Sequence, residues 1–189
     1  MEYRNTFYDS EDLSLLREYC RECGRVEHYA RREVFLRAGA PADRMGYIEQ
    51  GIICYSFCGF DGREYTGAYG FRGGFAVDYA ALVRRLPGRF DLRAMEPATL
   101  YVIDYEQFVR FAERDEHCAA VIRDMGDGLC FSLSERLLEF YSCTPEERYT
   151  RFLDRYPGLS EQLSMREIAS FVGVTPEALC RIRRRLLGR

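Results

Sequence analysis

The sequence predicts an α+β protein in which a small antiparallel β-barrel with flanking helices is followed by a long helix and an all-α domain. Ten of the sixteen glycines lie between Gly39 and Gly88, where they separate short β-branched and aromatic segments. Apolar residues then recur at helical spacing from Cys118 to Tyr141, and a two-helix pattern follows. We assign the barrel, the long helix and the last domain to residues 1–112, 113–143 and 144–189.

The glycine-rich region is expected to contain four strands, Met45–Ile48, Ile52–Phe57, Tyr65–Tyr69 and Leu100–Ile103. Short strands separated by turn signals favour a small antiparallel barrel or sandwich. Asp61-Gly62 separates the second strand from the third and is a hairpin signal, because glycine tolerates the positive φ that such turns need. Before the barrel, Ser10 is placed to cap a helix. The inward residues of that helix are Leu13, Leu16, Tyr19, Cys20 and Cys23.

The long helix carries a single apolar stripe. Its members are Cys118, Ile122, Met125, Leu129, Leu133, Leu137 and Tyr141. A stripe this narrow packs either on the protein's own barrel or on a partner helix, and the sequence leaves both open. The candidate dimer seam is Ile122, Met125, Leu129, Leu133 and Leu137.

The last domain has the pattern of a helix-turn-helix. Ser164 and Glu167 form a capping box that begins one helix, and Gly173 ends it. Thr175-Pro176 then caps and opens a second helix.

Charge separates the two ends of the chain. All 27 positive charges are arginines, and the net charge is −3. Residues 163–189 hold six arginines and two acidic residues, whereas residues 1–162 hold 21 arginines and 28 acidic residues. The net charge excludes a nucleic-acid binder that is basic throughout, but a basic tip on an acidic body favours a local anionic partner.

The second helix of the pair exposes side chains that are able to read base edges. Glu177, Arg181, Arg184 and Arg185 share its outer face. Arginine pairs with guanine through two hydrogen bonds, and glutamate accepts from the cytosine amine. The sequence therefore predicts contact with a DNA major groove.

These features together resemble the Crp/Fnr family of bacterial transcription regulators. Tyr47-Ile48-x-x-Gly51 and Asp61-Gly62-x-Glu64 are similar to the turns of its jelly-roll, cyclic-nucleotide-binding-like barrel. The segments 166–173 and 175–183 resemble its DNA-reading unit. Thr-Pro-Glu motifs at 144–146 and 175–177 are most similar to those of short family members of Bacteroidetes type, and most of the usual β-wing is missing.

The resemblance implies a homodimer joined along the long helix, with one recognition helix for each DNA half-site. Glu177 and Arg181 fall where the family places base-contacting residues. Ser164 and Arg166 fall near the phosphate-contacting start of the first helix, and Thr175 begins the recognition helix.

The resemblance also raises the question whether the barrel binds a cyclic nucleotide. Such a ligand needs a helix N-terminus and an arginine for its phosphate, and a carboxylate for its ribose. The candidate pocket residues are Asp78, Arg89 and Ser134, but Val77 replaces the family's glycine and crowds the phosphate. Arg89 comes one residue after the position of the family's phosphate-binding arginine, so we expect it on the opposite face of a strand. We therefore expect no cyclic nucleotide as cofactor, and leave open an unknown small effector or a closed pocket.

Other functional classes find little support in the sequence. No apolar run is long enough for a membrane helix, and the N-terminus is not a signal peptide. Cys20-x-x-Cys23 lacks the nearby cysteines that an iron–sulfur cluster needs, and His28 and His117 stand alone. We expect a cytoplasmic protein with reduced cysteines, no metal and no catalytic residues.

The predicted function is a sequence-specific transcription regulator that binds double-stranded DNA as a homodimer, with RNA polymerase as a further candidate partner. The alternative class is a ligand-binding or protein-interaction module that has the same barrel and does not read DNA. Salt dependence of DNA affinity separates the two classes.

Overall fold

The computed structural model describes residues 13–188, which form two four-stranded antiparallel sheets and eight helices. The strands are β1 (Arg25–Tyr29), β2 (Val34–Leu36), β3 (Arg44–Gln50), β4 (Ile53–Cys58), β5 (Glu64–Gly70), β6 (Phe75–Ala76), β7 (Asp91–Ala94) and β8 (Ala98–Asp104). The helices are α1 (Ser14–Cys23), α2 (Tyr79–Arg84), α3 (Tyr105–Ala112), α4 (Glu116–Ser142), α5 (Pro145–Arg155), α6 (Leu159–Gln162), α7 (Met165–Val172) and α8 (Pro176–Leu187). Ser10, the expected cap of the first helix, lies outside the described residues.

The two sheets have strand orders β1-β8-β3-β6 and β2-β7-β4-β5. They pack around a shared apolar core to which Ile48 and Leu100 contribute from one sheet and Ile53 and Leu92 from the other, all four fully buried. We call these strands together with α1 to α3 the β-domain. The predicted jelly-roll arrangement is confirmed as two facing sheets that do not close into a barrel, because no ladder among the described strands joins an edge of one sheet to an edge of the other.

The four expected strands correspond to β3, β4, β5 and β8, with bounds within two residues. A hairpin joins β4 to β5 at Asp61-Gly62, where Gly62 has a φ of +74°. The Asp61 carboxylate accepts a hydrogen bond from the Arg63 amide at 3.1 Å and so fixes the turn. The other four strands are only two to five residues long, and this left little alternation to detect.

The apolar stripe of α4 does not keep to one side of the helix. Most of its steps are four residues long, and each such step advances the stripe by about 40° because a turn takes about 3.6 residues. Cys118 and Met125 are accordingly buried in the β-domain, and Ile122 and Leu129 are partly buried there. Met125 is therefore not available to a partner, which corrects its place in the expected dimer seam.

The second half of α4 presents apolar side chains to solvent. Leu133 is 65% exposed and Leu137 is 57% exposed. Phe131, Leu138 and Tyr141 are also exposed. An apolar face of this size is unusual on the surface of a monomer.

The C-terminal helices pack against the β-domain and α4 through the ring of Phe171 in α7. Tyr69 of β5 stacks on this ring with centroids 5.5 Å apart, and Phe152 of α5 lies at 5.3 Å. The guanidinium of Arg136 in α4 lies 3.7 Å from the ring centroid. Phe171 is 3% exposed, so one buried side chain joins three parts of the molecule.

Phe171→Ala is expected to lower the free energy of unfolding by about 3–5 kcal/mol, because it leaves a cavity where these parts meet. Phe60→Ala is the matched control, since Phe60 is fully exposed next to the β4–β5 turn and its loss should change stability by about 0.5 kcal/mol or less. Urea unfolding followed by circular dichroism measures both. Equal losses in the two variants would contradict the role given to Phe171.

The two cysteines of the Cys20-x-x-Cys23 pair have different environments. Cys20 is buried in α1, and burial raises its pKa to about 12. Cys23 is exposed at the end of the same helix. Burial likewise raises the pKa of Cys54 in β4 to about 12. Within residues 13–188, no three His, Cys, Asp or Glu side chains converge as metal ligands would.

Thiol alkylation tests these environments. At pH 8 and in the folded protein, Cys20 and Cys54 should resist iodoacetamide because their raised pKa values keep them protonated and burial blocks access. Cys23 and Cys58 are exposed and should react. Peptide mass mapping against time reads out each site. Modification of Cys20 as fast as Cys23 would show that the α1 packing is wrong.

Candidate nucleic-acid interface and sensor pocket

The α7–α8 pair forms the helix-turn-helix that the sequence predicts, and caps fix both helix starts. The Ser164 hydroxyl accepts from the Glu167 amide at 3.3 Å, and the Glu167 carboxylate accepts from the Ser164 amide at 2.8 Å. Gly173 ends α7 with a φ of +76°. The Thr175 hydroxyl accepts from the Ala178 amide at 3.2 Å and begins α8.

The outer face of α8 is free for a ligand. Leu179 points inward and is fully buried, which leaves Glu177, Arg181 and Arg184 exposed. Hydrogen bonds from its own amide and from the Thr175 hydroxyl lower the pKa of the Glu177 carboxyl. Glu177 is therefore ionised at neutral pH and able to accept hydrogen bonds from a base edge.

Arg185, expected on the same face, contacts a different helix. Its Nη2 lies 3.2 Å from Oε2 of Glu146 at the start of α5. This pair borders a groove of about 1230 Å³ between α5 and α8 that Arg151, Arg181 and Arg184 also line. Because the Arg185 side chain is 64% exposed, the ion pair contributes little to stability.

The first helix, α7, lies along the edge strand β5. The Ser170 hydroxyl accepts a hydrogen bond from the Thr66 amide of β5 at 2.8 Å. Arg166 is exposed in the first turn of α7. Partial burial raises the pKa of the Glu64 carboxyl. Hydrogen bonds and the charges of Arg93 and Arg166 lower it by more, so the pKa lies below its ordinary value. Arg166 thus lies within the electrostatic field of a carboxylate on the β-domain.

Side chains that the sequence analysis did not select hold the end of α4 to the helix-turn-helix. Arg136 donates from Nη2 to the Phe171 carbonyl at 2.5 Å, and burial lowers its pKa to about 10. Arg148 donates from Nε to the Val172 carbonyl at 2.8 Å. The ring of Phe140 lies against Gly173, where a Cβ atom would approach it to 2.5 Å. The carbonyls at the end of α7 are therefore bound by arginines from two neighbouring helices.

A buried carboxylate completes this junction. Glu139 of α4 is 6% exposed, and its Oε1 lies 2.9 Å from Nη2 of Arg155 and 3.6 Å from Nη1 of Arg151. Sequence reasoning missed it because a single acidic residue on a long helix is usually solvated. Only its packing against α5 shows that it is an internal ion-pair partner.

The structure brings two of the three pocket candidates together. Asp78 caps α2, and its side chain is 1% exposed. Its Oδ1 accepts from Arg89 Nη2 at 2.7 Å, and its Oδ2 accepts from the Arg89 amide at 2.8 Å and from Arg89 Nε at 3.3 Å. The expectation that Arg89 points to the opposite face of a strand is wrong, because Arg89 precedes β7 and lies in a loop.

The third candidate, Ser134, is not part of this cluster. It is exposed on α4, and its hydroxyl donates to the Cys130 carbonyl at 2.9 Å. Tyr55 of β4, which sequence reasoning missed, lies next to the cluster instead. Its hydroxyl donates to the Phe75 carbonyl at 2.7 Å and accepts from the Val77 amide at 3.2 Å.

Family comparison identifies the β-domain. Residues 26–115 match the model of the cyclic nucleotide-binding domain. No curated protein is significantly similar to this chain in sequence. No helix within residues 13–188 combines the length and apolarity needed to cross a bilayer.

Several solved structures, regulators among them, have a fold similar to that of most of this chain. FixK2 from Bradyrhizobium japonicum has a TM-score of 0.76 at 19% identity, over 87% of this chain and 85% of that one. The c-di-GMP responsive global regulator CLP from Xanthomonas campestris has a TM-score of 0.74 at 19% identity, over 92% and 90%. A crp/fnr family regulator from Eubacterium rectale has a TM-score of 0.73 at 12% identity, over 98% and 87%. Residues 26–115 of this chain therefore match the cyclic nucleotide-binding domain, and the fold of the chain is similar to that of a crp/fnr family regulator.

Proposed function

We propose that this protein is a transcription regulator that binds specific DNA sequences as a homodimer and has no catalytic activity. The observation that carries the proposal is the free outer face of α8, where Glu177, Arg181 and Arg184 are exposed at the basic end of an acidic chain. These are the residue types that read guanine and cytosine edges in a major groove. The regulators that share its fold support this assignment.

Arg181 is the residue we expect to carry most of the sequence preference. It is exposed and lies one turn after Glu177, so both side chains point from the same face of α8. Arg185, one turn further on, is held by Glu146 and is more suited to a phosphate contact after that surface pair opens. Ser164 and Thr175 use their hydroxyl oxygens as caps, so we assign phosphate contacts in this region to backbone amides and to Arg166.

The dimer seam proposed here is the second half of α4 rather than the full stripe. Cys130, Ser134, Leu137 and Tyr141 are all exposed, and their spacing of four, three and four residues is that of a coiled-coil seam. Leu133 lies beside this line. In a parallel two-fold pair, residues on the axis face their own copies. A second copy of this chain therefore covers the exposed apolar face and places Cys130 opposite Cys130.

Substitution of arginines separates base reading from phosphate binding. Arg181→Ala should cost about 1–3 kcal/mol on the preferred sequence and reduce discrimination at one base pair of each half-site. Arg166→Ala should weaken binding to all duplexes alike and reduce the slope of log affinity against log salt by about 1. In vitro selection defines the preferred sequence, and fluorescence anisotropy at several salt concentrations gives the affinities.

Arg63→Ala is the matched control, since Arg63 is an exposed arginine at the β4–β5 turn and should not affect DNA binding. If the wild-type protein binds no DNA duplex, or binds with an affinity whose logarithm does not fall linearly with log salt, the proposal fails. The protein is then the alternative, a ligand-binding or protein-interaction module that does not read DNA. If Arg181→Ala and Arg63→Ala bind alike, α8 is not the reading element.

Cross-linking of native thiols tests the seam. A short bismaleimide should join two copies in wild type and in Cys58→Ser, but not in Cys130→Ser, because only Cys130 lies on the proposed axis. Non-reducing gel electrophoresis gives the covalent dimer fraction, and sedimentation shows that all three proteins associate equally. A Cys130→Ser dimer that still cross-links, or a wild type that sediments as a monomer, would rule out this seam.

A further inference from the structure

The strongest unexplained feature is the set of groups around Asp78. A guanidinium and backbone amides at a helix start are what proteins use to bind an oxyanion. Both are present here, and both are bound to the Asp78 carboxylate. Arg89 supplies three donors at 2.7–3.3 Å, and the Ala81 amide supplies a fourth at 3.3 Å.

The arrangement is internal and closed. The Asp78 side chain is 1% exposed, whereas that of Arg89 is 57% exposed, so the guanidinium covers the carboxylate from the solvent side. The next amide, that of Val77, is bound by the Tyr55 hydroxyl. The ring of Tyr55 meets Phe90 edge-on at 6.3 Å and fills the space between β4 and the segment that carries Arg89.

Two clefts of the described residues lie away from this cluster. One is the groove between α5 and α8, and another, of about 570 Å³, opens beside β2. Neither is lined by Asp78 or Arg89. An anion that approaches Arg89 meets a guanidinium that is already bound to the Asp78 carboxylate.

We propose that the Asp78 carboxylate is a built-in anionic ligand of the β-domain, which occupies the guanidinium in place of the phosphate of a cyclic nucleotide. A free phosphate has to break the Arg89 bonds and leave a buried carboxylate without its counter-charge, which is strongly unfavourable. The carboxylate is moreover attached to the same chain, so it does not depend on concentration.

The consequence for regulation rests on the proposed function: DNA binding by this chain does not require a cyclic nucleotide. The sensor fold serves as a fixed support for the helix-turn-helix. The anion-binding part of the proposal does not depend on DNA and is tested separately.

Thermal unfolding of the full chain tests the proposal with cAMP, cGMP and inorganic phosphate as probes. Asp78→Ser removes the carboxylate but keeps a good helix cap. This variant should gain a saturable rise in Tm of several degrees with at least one probe, while wild type shows none. Asp78→Ser combined with Arg89→Gln should lose the gain, because the freed guanidinium is the binding group.

Glu64→Gln is the matched control. It breaks the ion pair between Glu64 Oε1 and Arg93 Nη1, which lie 2.7 Å apart in the β-domain, and it does not free Arg89. If Asp78→Ser does not fold, the isosteric Asp78→Asn is used in its place.

A saturable Tm rise of wild type with cAMP or cGMP would overturn the proposal. So would a folded Asp78 variant that responds to no probe, or a response that persists without Arg89. Failure of wild type to bind any DNA would contradict the proposed function and leave the anion result unaffected.

Discussion

The packing of Phe171 is the contact on which the arrangement of the molecule depends. Its ring is buried between Tyr69 of the β-domain and Phe152 of α5, and the Arg136 guanidinium of α4 lies across it. Arg136 also binds the Phe171 carbonyl, so side chain and backbone are held by the same group. Because α7 sets the position of α8 through the Gly173 turn, this contact fixes the orientation of the proposed reading helix. A movement of α4 or of the β-domain relative to α8 would disturb this contact.

Two buried carboxylates show how the fold uses charge. Glu139 joins α4 to α5 through Arg155, and Asp78 joins the start of α2 to Arg89. In both cases an arginine that is partly exposed covers an acid that is nearly inaccessible. Such pairs add little net stability compared with apolar packing, but removal of one partner is costly. They therefore specify which elements meet rather than how strongly they hold.

The exposed arginines of α7 and α8 differ in whether an acidic residue lies near them. Arg181 and Arg184 have no described ion-pair partner, whereas Arg166 and Arg185 lie near Glu64 and Glu146. The unpaired arginines are the ones that the proposed function places on bases. Arg185 forms an ion pair with Glu146, and Arg166 acts on Glu64 through its charge alone, since the ion-pair partner of Glu64 is Arg93. In the proposed function, acidic residues beside α8 would reduce indiscriminate attraction to DNA without blocking Arg181 and Arg184.

The sequence by itself determined the features that depend on local chemistry. The caps at Ser164 and Thr175, the glycine turn at Gly173 and the Asp61-Gly62 hairpin were predictable, because each depends on neighbouring backbone groups. The tertiary structure alone decided which half of the α4 stripe is buried, that the sheets stay open, and that Arg89 turns back to Asp78. These outcomes depend on contacts between residues far apart in the chain, and helical or strand periodicity carries no information about them.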